Sequence, residues 1–333
     1  KIQNAVVMLD TKTGAVRAIS GGRKQTTLLG YNRATDNSRS TGSTIKPVID
    51  YGPAIEYLNY STGQTIKDQR TTYSNGVELN NWDFSHKGPM TLRTALVYSR
   101  NTTALQAFRA VGETNIKSFL NNLDIQIKND GQDYLVESNS IGADISPIKM
   151  AAAYATFGNY GTYSKPYTVT KVTTRDGQVY EFKPDQKQAM KDSTAYMITD
   201  VLKDSFKYGF ATEVAIPGLP TAAKTGSSNY TIEQKRAMGA SDYEDIIPDS
   251  WFIGYSTDYT ISAWTGYDNP YEKNGGVDTT EQEYSKLIYY YLMQYMAQFS
   301  SGDDWEQPDS VVRQQIEIGS DPLSLPGPRT PAN

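Results

Sequence analysis

The chain carries strand-like segments at both of its ends, and this arrangement limits how it can fold. Residues 4–9 (NAVVML) and 15–20 (AVRAIS) are short apolar runs joined by the turn sequence DTKTG, which predicts a β-hairpin. Residues 251–267 (WFIGYSTDYTISAWTGY) predict a second hairpin that turns around residues 256–259. If the two hairpins join in one antiparallel sheet, the segments between them pack on that sheet. The pattern therefore predicts an α+β or layered fold rather than alternating βαβ units.

The segments between and after the hairpins are mostly helical in pattern. The predicted helices are residues 43–57, 91–101, 146–157, 192–206 and 279–299. Thr91 and Ser146 are the predicted N-caps of two of these helices, and Pro147 occupies a first helical position. Thr280 and Glu283 form a capping-box pattern at the start of the last one. The tail from residue 300 carries prolines at positions 308, 322, 326, 328 and 331, so we expect it to be extended or partly disordered.

Composition restricts the chemistry that the chain can perform. The 333 residues include no cysteine and one histidine, His86, and the formal net charge is −5. These numbers exclude disulfides, a cysteine nucleophile and a histidine-rich metal site, and they give no support for a nucleic-acid partner. A nucleophile would therefore need a lysine or a carboxylate as its base, unless it used His86. No apolar run approaches the ~20 residues that span a bilayer.

The tripeptide Lys-Thr-Gly occurs twice, in two different settings. Residues 12–14 lie between the first two predicted strands, where glycine suits a turn and lysine is solvated. Residues 224–226 are flanked by alanines and serines at positions 222, 223, 227 and 228, and they precede the second hairpin. On an edge strand, such small residues would let the backbone of a ligand approach closely. The second copy is therefore the candidate for chemistry.

The pattern Ser-x-x-Lys also occurs twice, and a pattern with two fixed positions is weak by itself. At residues 146–149 a serine that caps a helix explains it. At residues 43–46 the surroundings differ, because Pro47 is tolerable only if a helix begins at Ser43. The free N–H groups of such a helix start favour negative charge, and Lys46 follows on the same face. A lysine can deprotonate a serine only if desolvation or nearby cations lower its pKa.

The pattern Ser-x-Asn occurs at residues 99–101 and again at residues 227–229. The first copy lies where the predicted helix 91–101 runs out near Ser99, a place where side chains can turn into a cleft. The alternative interpretation is an ordinary helix C-terminus with Asn101 as the terminating residue.

The three motifs stand in the order STIK, SRN and KTG, beginning at residues 43, 99 and 224. In this order and spacing, the chain resembles the transpeptidase domain of a class A (bifunctional) penicillin-binding protein. The similarity extends to YNRAT and RSTGSTIKP, to ADISPIKMAAAYATFGNYGTY, and to KTGSSNY followed by WFIGY and AWTGYD. It covers roughly residues 1–300 and leaves out the tail. The resemblance implies a penicillin-binding/β-lactamase-like α+β fold, with an antiparallel sheet of about five strands between helices and a mostly helical second lobe.

The resemblance also implies which residues carry the catalysis. Ser43 would be the acyl-ester nucleophile, Lys46 would accept its proton, and Ser99 would pass a proton toward the leaving group. Lys224 would supply positive charge near them. Two close lysines make chemical sense, because each disfavours the charge of the other and so helps to keep one of them neutral.

Four further positions would bind the substrate if the resemblance holds. Asn101 would hydrogen-bond the substrate amide. Thr225, Gly226 and Ser227 would lie along the substrate, with the hydroxyls of Thr225 and Ser227 on its terminal carboxylate. The backbone N–H groups of Ser43 and Ser227 would form the oxyanion hole.

The reaction that the resemblance implies is a two-step acyl transfer. A D,D-transpeptidase would cross-link peptidoglycan stem peptides, with a D-Ala-D-Ala donor and an amine acceptor, and β-lactam antibiotics would inhibit it covalently. No metal or organic cofactor is implied. Residues 1–299 would form the transpeptidase domain and residues 300–333 a C-terminal extension. The full protein would carry an N-terminal glycosyltransferase domain and a membrane anchor, both absent from this chain, and would act on the extracytoplasmic face of the bacterial membrane.

Alternatives with the same motifs stay open. A D,D-carboxypeptidase or a β-lactamase would pass the acyl group to water, and a penicillin-binding sensor or scaffold would not turn over. Arg100 stands where β-lactamases carry aspartate in the second motif, which favours a penicillin-binding protein. The long, charged segment 230–250 is predicted to border the cleft and to influence access to it.

Overall fold

The structure is a computed structural model that describes residues 1–273 and 275–327. Its centre is an antiparallel sheet with five strands, which are β1 (Gln3–Asp10), β2 (Val16–Ser20), β3 (Ala222–Ser227), β4 (Asp249–Tyr255) and β5 (Tyr259–Gly266). The strands lie in the order β3-β4-β5-β1-β2. The two ends of the chain therefore meet in the sheet, where β1 pairs with β5 from Gln3 opposite Gly266 to Asp10 opposite Tyr259. The predicted α+β fold is confirmed.

The first copy of Lys-Thr-Gly forms the turn between β1 and β2. Gly14 has a φ of +75°, which favours glycine, and its N–H donates to the carbonyl of Asp10 over 2.9 Å. Lys12 faces solvent, where its amine lies 3.3 Å from the carboxylate of Asp258. This copy is a turn, as predicted.

Helices cover both faces of the sheet. The α-helices of the described residues are α1 (Gly52–Leu58), α2 (Leu92–Val97), α3 (Asn101–Val111), α4 (Glu113–Asn122), α5 (Pro147–Gly158), α6 (Asp192–Lys203), α7 (Ile232–Ala237) and α8 (Tyr284–Met296). The alternation along β1 separates two cores, since Val7 and Leu9 pack with α5 whereas Met8 packs with Tyr289 and Met293 of α8. Each such side chain contributes roughly 1.5–3 kcal/mol when it is fully buried.

The second lobe is mostly helical, as the resemblance implies, and is built largely from α1 to α4. Short paired strands complete the structure, namely Arg39–Ser40 with Asp144–Ile145, Thr65–Asp68 with Gly88–Thr91, Thr71–Thr72 with Glu78–Leu79, Thr162–Ser164 with Gln186–Gln188, and Lys171–Thr173 with Val179–Glu181. Thr91 caps α2 as predicted, because its hydroxyl accepts a hydrogen bond from the Thr94 N–H over 3.1 Å. Among the described residues, none of the helices has the length and apolar character that crossing a membrane requires.

Two predicted helix starts differ in detail. The last helix, α8, begins at Tyr284 after a 3-10 turn at Glu281–Glu283, and Thr280 makes no side-chain cap. The carboxylate of Asp278 accepts from the Thr280 and Glu281 N–H groups instead, over 2.9 and 2.8 Å. The predicted capping box was therefore wrong, because a charged acceptor two residues upstream takes the free donors. Likewise α5 starts at Pro147 as predicted, although the hydroxyl of Ser146 does not cap it.

The tail is extended from residue 300 to residue 327, with no helix or strand. It nevertheless packs against the body through Trp305, which is 5% exposed. The indole N–H of Trp305 donates to the carbonyl of Gly158 over 2.8 Å, and its ring lies 5.5 Å from that of Tyr255. The last two prolines of the tail, at 328 and 331, lie outside the described residues, so the prediction for that part of the tail is not addressed.

Candidate active site

Ser43 lies at the start of a helical stretch that changes its winding. A 3-10 turn at Gly42–Ile45 leads into a wider π turn at Pro47–Tyr51 and then into α1, where the sequence predicts one regular helix. Pro47 has no N–H to offer the Ser43 carbonyl, so the N–H of Lys46 bonds to that carbonyl instead. The stretch begins at Gly42, one residue before Ser43, and the missing N–H of Pro47 favours the shorter 3-10 bond there.

Two glycines let this turn lie directly against β3. Gly42 has a φ of +50°, and a Cβ atom on it would stand 2.3 Å from the carbonyl oxygen of Ser227. A Cβ atom on Gly226 would stand 2.5 Å from the carbonyl oxygen of Thr41. Larger residues at either position would separate the turn from the strand. The close approach places the backbone of Ser43 beside that of Ser227, the pair that the resemblance implies for an oxyanion hole.

Two further hydrogen bonds fix the turn and the residues just before it. The hydroxyl of Tyr154 on α5 donates to the carbonyl of Thr44 over 2.7 Å. The indole N–H of Trp251 on β4 donates to the carbonyl of Ser40 over 2.8 Å. Both rings are buried, so the turn is fixed to the sheet and to α5 together.

The amines of two buried lysines converge on Ser99 and so join the three motifs. The Lys46 amine lies 3.2 Å from the Ser99 hydroxyl and donates to the Ser99 carbonyl and to Asn101 Oδ1, each over 2.7 Å. The Lys224 amine lies 2.9 Å from the same hydroxyl. Lys46 is 0% and Lys224 2% exposed. Residues from three distant parts of the chain thus form one cluster, as the motifs predicted.

Burial makes these lysines weak bases compared with ordinary ones. Loss of water lowers the pKa of Lys46 well below its usual value, and the charges of Lys224 and Arg100 lower it further, against the opposite effect of Asp50. Burial lowers the pKa of Lys224 to about 7. The lowered pKa makes Lys46 easier to deprotonate than an ordinary lysine, and an unprotonated amine is what a serine nucleophile needs as its base.

Asp50 lies four residues after Lys46 and is fully buried as well. Within the described residues, neither of its carboxylate oxygens has a hydrogen-bond partner. Burial raises the pKa of this carboxyl well above its usual range, and Lys46 opposes that shift. Sequence reasoning missed this group, because only the fold shows that it is cut off from water.

The second motif sits between two helices in a strained conformation. Ser99 follows the end of α2 and has a φ of +54°, which is costly for a residue other than glycine. Asn101 does not terminate a helix, as the alternative interpretation had it, but is the first residue of α3. The side chain of Arg100 turns away from the lysines and is buried on the carboxylate of Asp68 at 2.8 Å.

Ser43 is half-buried as a residue, and its hydroxyl makes no hydrogen bond with the described residues. Its predicted partner, Lys46, is directed toward Ser99 and Asn101 in this arrangement. Of residues 224–227 on β3, Thr225 and Ser227 are the more exposed, while Lys224 and Gly226 alternate with them and are buried. The two hydroxyls are thus available to a ligand, and the lysine reaches the interior.

The second copy of Ser-x-x-Lys, at residues 146–149, takes no part in this cluster. Lys149 is exposed on α5, which fits a structural role for this copy, although Ser146 does not make the side-chain cap that was predicted. The segment 230–250 follows the Ser227 end of β3 and forms α7. With residues such as Tyr267 and Asp278 it lines a partly open cavity of about 200 Å³. Its effect on access to the cleft stays a prediction.

Aromatic residues that sequence reasoning did not identify stand next to the second motif. The indole N–H of Trp82 donates to the carbonyl of Tyr98 over 3.0 Å, and its ring lies edge-on to that of Phe210 at 5.3 Å. Trp82 and Tyr98 are partly exposed there. No local pattern marks Trp82, because its position depends on a contact sixteen residues away.

The chain matches known proteins along most of its length. A family model for the penicillin-binding protein transpeptidase domain matches residues 4–294. Penicillin-binding protein 1A/1B of Bacillus subtilis (strain 168) is 41% identical over 339 residues, which cover 100% of this chain and 36% of that protein. Penicillin-binding protein 1A of Streptococcus pneumoniae (strain ATCC BAA-255 / R6) is 37% identical over 94% of this chain and 44% of that protein. The chain spans less than half the length of these two relatives.

Solved structures share the fold at lower identity. Penicillin-binding protein 1A from Haemophilus influenzae has a TM-score of 0.79 at 22% identity, over 98% of this chain and 52% of that one. The PonA1 protein from Mycobacterium tuberculosis in complex with penicillin V has a TM-score of 0.79 at 21% identity, over 98% of this chain and 84% of that one. Together with the family match and the curated relatives, these findings identify the chain as a member of the penicillin-binding protein transpeptidase family.

Proposed function

We propose that the chain is a serine D,D-transpeptidase that cross-links peptidoglycan stem peptides through an acyl-enzyme on Ser43. One observation carries this proposal. Two buried lysines from the first and third motifs meet at the hydroxyl of Ser99, at 3.2 and 2.9 Å. Burial, and then repulsion from Lys224, lower the pKa of Lys46, which favours this lysine as a base three residues from the nucleophile.

In the first step, the Ser43 oxygen attacks the carbonyl between the two D-Ala residues of the donor. Lys46 takes the hydroxyl proton, and the negative charge that develops on the carbonyl oxygen is held by the Ser43 and Ser227 N–H groups. The C–N bond then breaks, and the leaving D-Ala amine receives a proton through Ser99. The product is an ester between Ser43 and the shortened stem peptide.

In the second step, the amine of a neighbouring stem peptide attacks this ester. The amine loses a proton to the same lysine and serine, a new amide bond forms, and the Ser43 oxygen regains its proton as it leaves. Each atom that moves is supplied by the substrates or by the named side chains. A β-lactam would enter the same first step, but its ring opens without losing a leaving group.

The terminal carboxylate of the donor suits the open side of β3. Thr225 and Ser227 offer hydroxyl donors there, and Lys224 adds positive charge from below when it is protonated. Asn101 would bind the substrate amide, although its own side chain first bonds to Lys46 and to the carbonyl of Asn80. Ligand binding would have to exchange one of these bonds.

The full-length protein is a further part of the proposal. The curated relatives are more than twice as long as the matched region, and one of them is a 1A/1B protein. We therefore propose that the complete protein carries a glycosyltransferase domain and a membrane anchor and acts on the outer side of the bacterial cell membrane.

A donor peptide ending in D-Ala-D-Ala, supplied with a competing amine such as a D-amino acid, tests the reaction directly. We expect release of D-Ala and an amide product whose yield rises with the amine concentration. Release of D-Ala with only the hydrolysed peptide would favour a carboxypeptidase. No release, with stable binding of penicillin, would favour a sensor or scaffold, and fast hydrolysis of penicillin a β-lactamase.

A further inference from the structure

The helix that begins at the last residue of the second motif is capped by a side chain from outside the helix. α3 begins at Asn101, and Arg100 at its N-cap position makes no side-chain capping bond. The side-chain oxygen of Asn81 accepts from the N–H of Asn101 over 2.7 Å and from the N–H of Thr102 over 3.3 Å. A loop residue twenty positions earlier thus satisfies donors that a helix start leaves free.

A buried network fixes the orientation of the Asn81 amide. Its nitrogen donates to the carboxylate of Asp68 over 2.7 Å and to the carbonyl of Ser85 over 2.9 Å, so its oxygen must face α3. Asp68 also accepts from Arg100 over 2.8 Å and from the Thr102 hydroxyl over 2.6 Å. Burial raises the pKa of Asp68, but these hydrogen bonds outweigh it and hold the pKa below the usual value, so the carboxyl stays ionised.

The same loop holds the side chain of Asn101. Its amide nitrogen donates to the carbonyl of Asn80 over 2.8 Å, which directs its oxygen toward the Lys46 amine at 2.7 Å. Ser99, two residues earlier, keeps its strained φ of +54° beside this anchored backbone. A strained residue persists only where its surroundings over-determine it, and this network lies directly beneath the motif.

We propose that Asn81 is a positioning residue that sets the geometry of Ser99 and Asn101 for proton transfer with Lys46. It touches none of the reacting atoms and acts through the backbone of residues 99–102. Where acylation is the readout, this inference rests on the proposed function. A purely structural cap would stabilise α3 without affecting the site.

Asn81→Ala removes the cap and both donated bonds. We expect the rate constant of acylation by benzylpenicillin to fall about 10²-fold, because small displacements of catalytic groups cost that much. The affinity of the preceding non-covalent complex should change far less. The matched control is Asn159→Ala, which removes an asparagine that also bridges two loops, with bonds to the Lys12 and Thr162 carbonyls. The control should be acylated at the wild-type rate, and equal rates in both variants would overturn the proposal.

Asn81→Asp provides a test if the alanine variant folds poorly. The new carboxyl still offers an oxygen that accepts from the N–H groups of α3, but it no longer donates a hydrogen bond to Asp68. The other charged groups of this network are Asp68, Asp83 and Arg100. When protonated, the new carboxyl can donate to Asp68 again. Its acylation rate relative to wild type should therefore rise as the pH is lowered from about 8 to about 5.5. A ratio that does not change with pH would contradict the inference.

Amide hydrogen exchange separates this inference from the proposed function. In folded Asn81→Ala, the Asn101 and Thr102 amides should exchange at least about tenfold faster than in wild type, since they lose their acceptor. If wild type forms no penicillin adduct, the proposed function fails, yet the exchange result still decides whether Asn81 holds these residues. Unchanged exchange would refute the positioning role even if acylation slowed.

Discussion

Gly42→Ala tests the contact that brings the Ser43 turn against β3. The added Cβ atom would stand 2.3 Å from the carbonyl oxygen of Ser227 and 2.6 Å from its nitrogen, and both are backbone atoms. A strand paired with its neighbour cannot swing away as a side chain does. The turn and β3 must therefore separate, and with them the two N–H groups assigned to the oxyanion hole.

The size of the effect follows from the distances. Ordinary contact begins at 3.4 Å, so the turn must move by about 1.1 Å along the line to the Ser227 oxygen. A displacement of about 1 Å at a catalytic site costs about 10²-fold in rate. The positive φ of +50° adds about 1–2 kcal/mol of strain for a residue with a Cβ atom.

Stopped-flow acylation with a chromogenic β-lactam, combined with thermal unfolding, measures both effects. The control is Gly131→Ala, because Gly131 has a φ of +76° and nothing within 4 Å of its added Cβ atom. Both variants should lose stability through backbone strain, but only Gly42→Ala should lose acylation. Acylation of Gly42→Ala at the wild-type rate would refute the proposed oxyanion hole.

Three other changes give further tests. Asp50→Asn should raise the free energy of unfolding at pH 7, because the variant has no carboxyl group to protonate or to bury as a charge. Burial raises the pKa of Asp50 on folding, so wild-type stability is greatest below the usual carboxyl pKa and falls as pH rises, and the gain should shrink in unfolding experiments near pH 4. The folded pKa of Lys224, about 7, lies below its unfolded value, so the wild type should gain stability as pH rises from 7 toward 10, and Lys224→Met should flatten this dependence. A wild-type free energy of unfolding that does not change with pH in this range would contradict the burial of a neutral lysine. Trp305→Ala should cost about 3–5 kcal/mol in denaturant unfolding and leave the acylation rate of the folded protein unchanged; no loss of stability would mean that the tail is not docked in solution.

Local signals in the sequence were sufficient to predict the strands that form the sheet. The hairpin around residues 12–14 has its turn glycine and flanking apolar runs, so the pattern and the observed strands agree. The family resemblance that the three motifs carry also implied that Lys46, Ser99 and Lys224 would lie together, and the structure brings them together.

The parts that sequence reasoning missed depend on contacts between distant segments. Pro47 indicates an irregular helix, but the observed 3-10 turn followed by a π turn also depends on packing against β3 and α5. Asn81 looks like any polar loop residue until α3 lies beside it. Similarly, the docking of Trp305, a residue of the proline-rich tail, leaves no periodic trace in the sequence.

The most direct test of the nucleophile is an intact-mass time course with benzylpenicillin on wild type, Ser43→Ala and Ser146→Ala. The two serines head the same Ser-x-x-Lys pattern, but only the lysine of the Ser43 copy belongs to the buried cluster, so Ser146→Ala is the matched control. We predict a lasting adduct of one penicillin per chain in wild type and in Ser146→Ala, and none in Ser43→Ala. An adduct that persists in Ser43→Ala would show that another residue is the nucleophile and would contradict the mechanism.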